Sequence, residues 1–167
     1  MTKEVINIGS IIEKKLKALD RTPSWFAKML SCDGSTVYRI FKKQTIDASE
    51  LLRISLILKT NFFEYYTNRF MILSKDHHHS CEISATMSKE VIHIGSIIEK
   101  ELKSLARTPT WFAKKLSRDP STIFRLFKKE SIDTSELLRI SLILKTNFLE
   151  YYTNKFNHFV ASSATLL

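Results

Sequence analysis

Paired basic residues are the most distinctive chemical feature of this 167-residue chain. Lys42 and Lys43 end one short amphipathic segment, and Lys128 and Lys129 end a near-identical second segment. Lys plus Arg total 26 against 17 for Asp plus Glu, which gives a formal net charge of +9. An excess of this size favours binding to nucleic acid or to another anionic surface.

Both kinds of basic residue also have purely structural interpretations. The two lysine pairs could be solvated helix ends, which are common on protein surfaces. Arg39 and Arg125, which precede them, could instead pair with a neighbouring carboxylate. The sequence leaves these alternatives open.

No catalytic or metal-binding motif accompanies the charge. The sequence has no HExxH, Walker loop, GxSxG or GxGxxG, so we expect no enzymatic activity. His77, His78 and His79 are adjacent, and adjacent side chains do not converge on one tetrahedral site without further ligands. We therefore predict no metal and no cofactor. Asp47 and Glu50 are explained by helix capping rather than by acid–base chemistry.

Composition indicates an all-α protein. Gly and Pro total only 3 each, too few for the turns of sandwiches and barrels. The two cysteines, Cys32 and Cys81, are too few for a disulfide framework and fit a reducing compartment. Because the chain has no signal-peptide pattern and no apolar run near the roughly 20 residues that span a bilayer, we expect a soluble, cytoplasmic protein.

The chain is an internal duplication. Residues 1–70 align without gaps with 87–156 at a constant offset of 86, and 53 of the 70 pairs are identical. We predict two domains with these bounds, joined by a flexible linker at 71–86, which is polar in its middle and has no sustained period. Residues 157–167 are predicted as a C-terminal tail.

Hydrophobic periodicity predicts five short helices in each copy. In copy one the first helix covers roughly 8–19, and the starts of the next four are marked by capping residues. Glu50 completes a capping box with its N-cap residue, and copy two repeats the pattern. The predicted N-caps are Thr22, Asp33, Asp47 and Asn61 in copy one, with Asp119 and Asp133 among their equivalents.

Helices two and three are separated by a tight turn in both copies. Ala27 and Ser31 supply the small residues that a close helix crossing and its turn require, and Ala113 and Ser117 do so in copy two. The pattern WFAKxL…STVYRIFKK…IDxSELLRISLIL…FFEYY resembles small bacterial members of the XRE-type, phage-repressor/Cro-like helix-turn-helix family. The resemblance covers nearly all of both copies. It implies two tandem five-helix lambda-repressor-like domains whose third helices enter the DNA major groove.

Two positions depart from the family pattern. The family often has Gly at the turn, where Ser31 and Ser117 stand here, and serine adopts a positive φ less easily than glycine. The next position is usually apolar, which Cys32 satisfies and Arg118 does not. Arg118 therefore either extends to solvent or loosens copy two.

The resemblance implies a set of DNA-contacting residues. Arg39 and Arg125 are the best candidates for bidentate contacts to guanine, and the lysines near the helix ends suit phosphate. The candidate base-reading residues are Ser35, Tyr38, Arg39, Ser121, Phe124 and Arg125. The candidate phosphate contacts are Ser24, Lys28, Lys42, Lys43, Thr110, Lys114, Lys128 and Lys129.

These residues imply a transcriptional regulator of bacterial type, most simply a repressor, that binds specific double-stranded DNA. The two copies would act as a covalent pseudo-dimer, since a coil as long as the linker spans roughly 22 Å and can extend to the roughly 34 Å between half-sites. The aromatic fifth helix is a candidate contact within the chain or between chains, through Phe62, Phe63, Tyr65, Tyr66, Phe148, Tyr151 and Tyr152. Alternatively, that helix could serve an antitoxin or adaptor, or only copy one could bind DNA.

Overall fold

The computed structural model describes residues 6–74 and 92–164, and these residues form ten α-helices and no extended strand. The predicted all-α class is confirmed. No helix in the described ranges is long and apolar enough to cross a membrane. The helices are α1 (Ile8–Ala18), α2 (Pro23–Leu30), α3 (Gly34–Lys42), α4 (Ala48–Ile57), α5 (Phe63–Leu73), α6 (Ile94–Ser104), α7 (Pro109–Leu116), α8 (Pro120–Phe127), α9 (Thr134–Leu144) and α10 (Leu149–Ala164).

Polar side chains cap most helix starts at the predicted residues. Thr22 accepts a hydrogen bond from the backbone N–H of Trp25 at 3.1 Å, and Asp33 accepts one from Thr36 at 2.8 Å. Such bonds satisfy backbone donors that a helix start leaves without an internal partner. The predicted cap of α5 is displaced by one residue, because Phe62 occupies the N-cap position while Asn61 still accepts from the N–H of Phe63.

The capping-box prediction is half right. Asp47 caps α4 by accepting from the N–H of Ser49 at 3.0 Å, but Glu50 does not return the bond among the described contacts. Its carboxylate instead accepts from the Lys43 ammonium at 3.3 Å. The charge of Lys43 is the stronger partner, since charge-assisted hydrogen bonds exceed those to a neutral N–H.

Two helices run past the predicted domain ends. α5 continues to Leu73, and α10 continues to Ala164 through most of the predicted tail. The extension of α10 contains no Gly or Pro, and the hydroxyls of Ser162 and Ser163 donate to carbonyls one turn earlier at 2.8 Å. The remainder of the predicted linker, with the three histidines and Cys81, lies outside the described residues.

The two copies pack directly against each other around one continuous core. α10 packs on α4 and α5, and α5 packs on α9, so a single cluster of buried side chains spans both copies. At the centre, the N–H of Ala48 donates to the carbonyl of Ile132 at 2.9 Å, and the N–H of Thr134 donates to Ile46 at 3.0 Å. The two bonds join equivalent residues, with the donor in copy one in the first bond and in copy two in the second. A pseudo-two-fold axis therefore passes between the paired Asp47 and Asp133.

One buried hydrogen bond breaks this pseudo-symmetry. The Thr134 hydroxyl donates to the hydroxyl of Tyr66 at 2.9 Å. Ala48 occupies the equivalent position facing Tyr152, whose buried hydroxyl has no hydrogen-bond partner. The hydroxyl of Ser131 is close enough to lower the pKa of Tyr152 slightly, but it donates to the Asp47 carboxylate rather than to the tyrosine. Burial raises the pKa of Tyr66 to about 12 and raises the pKa of Tyr152 further above its ordinary value.

A glycine fixes the distance between α1 and α3. The N–H of Gly9 donates to the carbonyl of Lys43 at 3.0 Å, and a Cβ at Gly9 would lie 2.3 Å from the carbonyl oxygen of Ile40. Gly95 makes the same approach to the end of α8, with a Cβ 2.4 Å from the Leu126 oxygen. The backbone of each third helix is therefore held against the start of its first helix.

Both turn serines adopt the left-handed conformation that glycine adopts most easily. Ser31 and Ser117 each end their helix with φ of 54°. The N–H of the following residue, Cys32 or Arg118, donates back to Ala27 or Ala113 across the turn. Serine thus accepts the strain that left-handed residues other than glycine carry, and the turn closes alike in both copies.

The Tyr66 hydroxyl has a hydrogen-bond partner and the Tyr152 hydroxyl has none, so the two equivalent tyrosines should respond differently to the same substitution. Tyr66→Phe should lower the free energy of unfolding by about 1–2 kcal/mol, because it removes a buried hydrogen bond and leaves Thr134 unpaired. Tyr152→Phe should be neutral or stabilise by about 1 kcal/mol, because it removes a buried hydroxyl that has no partner. Urea unfolding of the full chain measures both. Equal losses would contradict the asymmetry.

The close approach at Gly9 should not tolerate a methyl group. Gly9→Ala places a Cβ against three backbone carbonyls, and we expect it to cost about 3 kcal/mol of unfolding free energy. Gly34→Ala is the matched control, since a Cβ there meets nothing within 4 Å and alanine favours a helix by about 1 kcal/mol. Thermal or urea unfolding compares the two. A loss of similar size in both variants would show that the carbonyl contact is unimportant.

Candidate nucleic-acid interface

Helices α3 and α8 each bury one face and expose the other. Val37, Ile40 and Phe41 of α3 are buried against α1 and α2, and Ile123, Leu126 and Phe127 of α8 occupy the same positions in copy two. Apolar residues at this spacing lie on one side of a helix. The opposite side therefore presents the residues that the sequence singles out for base reading.

All six candidate base-reading residues are exposed. Tyr38 is 58% exposed and Phe124 is 56% exposed, high values for aromatic side chains. Each is held edge-on by the aromatic residue one turn later, Phe41 at 6.1 Å and Phe127 at 6.3 Å between ring centroids. The rings are thus presented in a defined orientation, which suits contact with a base edge or a thymine methyl.

Arg39 and Arg125 form no ion pair within the described part of the chain. Their charges act at longer range on the capping carboxylates, where they are minor contributors to the lowered pKa of Asp33 and Asp119. These arginines are therefore not paired with a neighbouring carboxylate, as the structural alternative requires. Both guanidinium groups remain available to an external partner.

The serine that begins each exposed face is tied to the helix cap. The Ser35 hydroxyl donates to the Asp33 carboxylate at 2.8 Å, and this bond is the first cause of the lowered pKa of Asp33. A hydrogen bond from Ser121 is likewise the largest cause of the lowered pKa of Asp119. An ionised carboxylate therefore occupies the N-terminus of α3 and of α8. Its negative charge disfavours a phosphate at that end, so a phosphate is better placed at the lysine-rich C-terminal end of each helix.

The eight candidate phosphate contacts are also exposed. Ser24 and Thr110 lie in the first turns of α2 and α7, where backbone N–H groups lack helical partners and suit an anion. The Lys43 ammonium contacts the Glu50 carboxylate, whereas Lys129 has no ion pair among the described contacts. The structure thus places the candidate residues on the surfaces of the second and third helices of each copy.

Arg118 extends to the surface and is paired. Its guanidinium contacts the Glu136 carboxylate at 3.0 Å, and about 44% of its side chain is exposed. The contact connects the turn after α7 to α9, so this turn is tethered in copy two. Cys32, its equivalent, packs half-buried against the core.

Sequence reasoning missed the residues that support the turn from behind. Arg53 donates to the carbonyl of Leu30 at 2.9 Å, and Arg139 donates to Leu116 at 3.1 Å. These carbonyls end α2 and α7 and have no partner within the helix. The available signal was an arginine at the same repeat position within an otherwise apolar helix. Gly9 and Gly95 were missed too, although they are two of only three glycines.

The aromatic residues of the fifth helices are mostly buried between the copies. Phe63 stacks on Tyr152 with ring centroids 5.0 Å apart, and Phe62, Tyr66 and Phe148 are fully buried. Tyr65 differs from the predicted contact set because it is 47% exposed. Most of this aromatic surface is thus already covered by the chain itself.

Comparison with known proteins gives no relative on which to rest a function. No protein-family model matches the chain, and neither a curated protein nor a solved structure matches it. The resemblance to the XRE-type family stays a prediction that rests on the residues quoted for it. Function is therefore inferred from the exposed residues and their geometry.

Proposed function

We propose that this chain is a non-catalytic, sequence-specific DNA-binding repressor. Each copy acts as a helix-turn-helix domain, with α2 and α3 in copy one and α7 and α8 in copy two. The third helix of each domain enters the major groove, where Arg39 and Arg125 contact base edges. The lysines at the ends of these helices contact phosphate.

The observation that carries the proposal is the repetition of one exposed set on both sides of the pseudo-two-fold axis. Lys42 ends α3 and Asp47 lies beside the axis five residues later. Even a fully extended connection therefore keeps the centre of α3 within roughly 26 Å of the axis. Half-sites on adjacent turns require each reader to lie about 17 Å from the dyad, which this limit allows.

Direct packing of the copies makes the linker less important than its length suggests. Two contacts between the copies hold α3 and α8 relative to each other without a tether. They are the pairing at Asp47 and Asp133 and the packing of α5 on α10. The linker then contributes high effective concentration, which keeps both copies on one site. Half-site spacing is set by the interface.

The antitoxin or adaptor alternative needs an accessible aromatic surface. Phe63 and Tyr152 are stacked on each other and buried, so a partner that binds these two rings would first have to separate the copies, whereas Tyr65 stays exposed. The exposed aromatic residues of the third helices, Tyr38 and Phe124, lie beside arginine and lysine instead. This distribution favours a nucleic acid over a protein partner.

Selection from a random pool of duplex DNA tests the proposal. We expect enrichment of two related half-sites at a single spacing, with the copy-two half-site altered where Phe124 replaces Tyr38. Affinity should fall by about 10³-fold or more between 50 and 200 mM salt, as expected for 6–10 phosphate contacts. A chain with a longer Gly/Ser linker should select the same spacing. No enrichment, or an affinity for DNA that is insensitive to salt, would rule out the proposed regulator function.

Substitutions should separate base reading from phosphate binding. Arg125→Ala should relax sequence preference in one half-site at a cost of about 1–3 kcal/mol on the preferred site, because one bidentate base contact is lost. Lys128→Ala should weaken binding to all sequences alike and reduce the salt slope by about 1. Repeating the selection with each variant measures both. An unchanged motif in Arg125→Ala and in Arg39→Ala would refute their base-reading role.

A further inference from the structure

Copy two contains a second candidate site, away from the exposed face of α8. A cleft of about 520 Å³ lies between the α6–α7 turn, α7 and the end of α9. Its apolar lining comes from Leu105, Trp111, Ile143 and Leu144. This volume is within the range of small-molecule sites, which are mostly apolar with a few polar groups that fix orientation.

Three cations complete the lining of this cleft, namely Arg107, Lys115 and Lys145. None forms an ion pair with a carboxylate among the described residues. Glu101, at the nearby end of α6, accepts hydrogen bonds from the hydroxyls of Thr146 and Ser104 instead. The three cations outnumber this one nearby carboxylate, so they raise the local positive potential and favour an anion.

The indole of Trp111 holds two of these cations in place. The guanidinium carbon of Arg107 lies 5.0 Å from the ring centroid, and the ammonium nitrogen of Lys115 lies 5.9 Å from it. Both distances are within the range of cation–π attraction. The cations are thus oriented before any ligand arrives, which lowers the cost of ordering them on binding.

Copy one provides a natural comparison for this cleft. The equivalent residues include Arg21, Trp25 and Lys59, and Arg21 lies over Trp25 at the same 5.0 Å. The equivalent of Lys115 is Met29. Met29 is the one difference among the lining residues, whereas two charges beside the cleft also differ, since Asp20 and Lys15 stand where copy two has Ala106 and Glu101.

We propose that the cleft at Trp111 binds a small organic anion, a carboxylate carried on an apolar ring system. The ring occupies the apolar floor formed by Leu105 and Ile143, and the carboxylate lies among Arg107, Lys115 and Lys145. Lys115 strengthens this binding through its charge. This inference does not depend on DNA binding.

Titration of the full chain with 2-naphthoate tests the proposal. The indole N–H signals of Trp25 and Trp111 report the two copies separately in ¹H–¹⁵N spectra, once assigned with Trp25→Phe. We expect a saturable shift of the Trp111 signal, with an affinity that falls about five-fold in Lys115→Met, the effect of one cation. The neutral isostere 2-naphthamide should bind at least about five-fold more weakly than the carboxylate.

Exchanging the Lys115 charge between the copies is the decisive control. Lys115→Met should reduce the affinity reported by Trp111, and Met29→Lys should raise the affinity reported by Trp25. Both side chains are exposed and each occurs naturally at this repeat position, so both variants should fold. Equal affinity for the amide, or an unchanged affinity in Lys115→Met, would each overturn the proposal.

Discussion

The structure depends on one reciprocal contact between the copies, made where each fourth helix begins. Ala48 bonds to Ile132 and Thr134 bonds to Ile46, so the two chain segments pair around a pseudo-two-fold axis. The same segments carry the caps of α4 and α9 and lie a few residues after the exposed third helices. A single contact therefore defines the core, the helix starts and the placement of both candidate reading helices.

Backbone contacts rather than long side chains hold those helices in place. The N-terminal turn of α1 lies on the carbonyls that end α3, which only Gly9 permits, and Gly95 repeats the contact in copy two. Arg53 holds the other side of the turn through the Leu30 carbonyl. Because these supports leave the outer face of α3 untouched, exposed residues such as Arg39 can be replaced without changing the fold.

Local patterns in the sequence were sufficient for the helices and insufficient for their assembly. Capping at Thr22 and Asp33 and burial of Val37 follow from short-range periodicity, and the structure agrees with all three. Contact between the copies depends on residues far apart in sequence, which no local pattern encodes. The return bond expected of Glu50 failed for a different reason, since Lys43, seven residues earlier in the same copy, takes its carboxylate.

Covalent duplication releases the copies from exact symmetry. In a dimer of identical chains every substitution appears twice, whereas here Thr134 satisfies Tyr66 while Ala48 leaves Tyr152 without a partner. The asymmetric pair lies in the same core as the reciprocal backbone bonds, which are made in both copies and keep the interface closed on either side. The same freedom allows the exposed faces of α3 and α8 to differ, as Tyr38 and Phe124 do, and it allows Lys115 to stand on one copy where Met29 stands on the other.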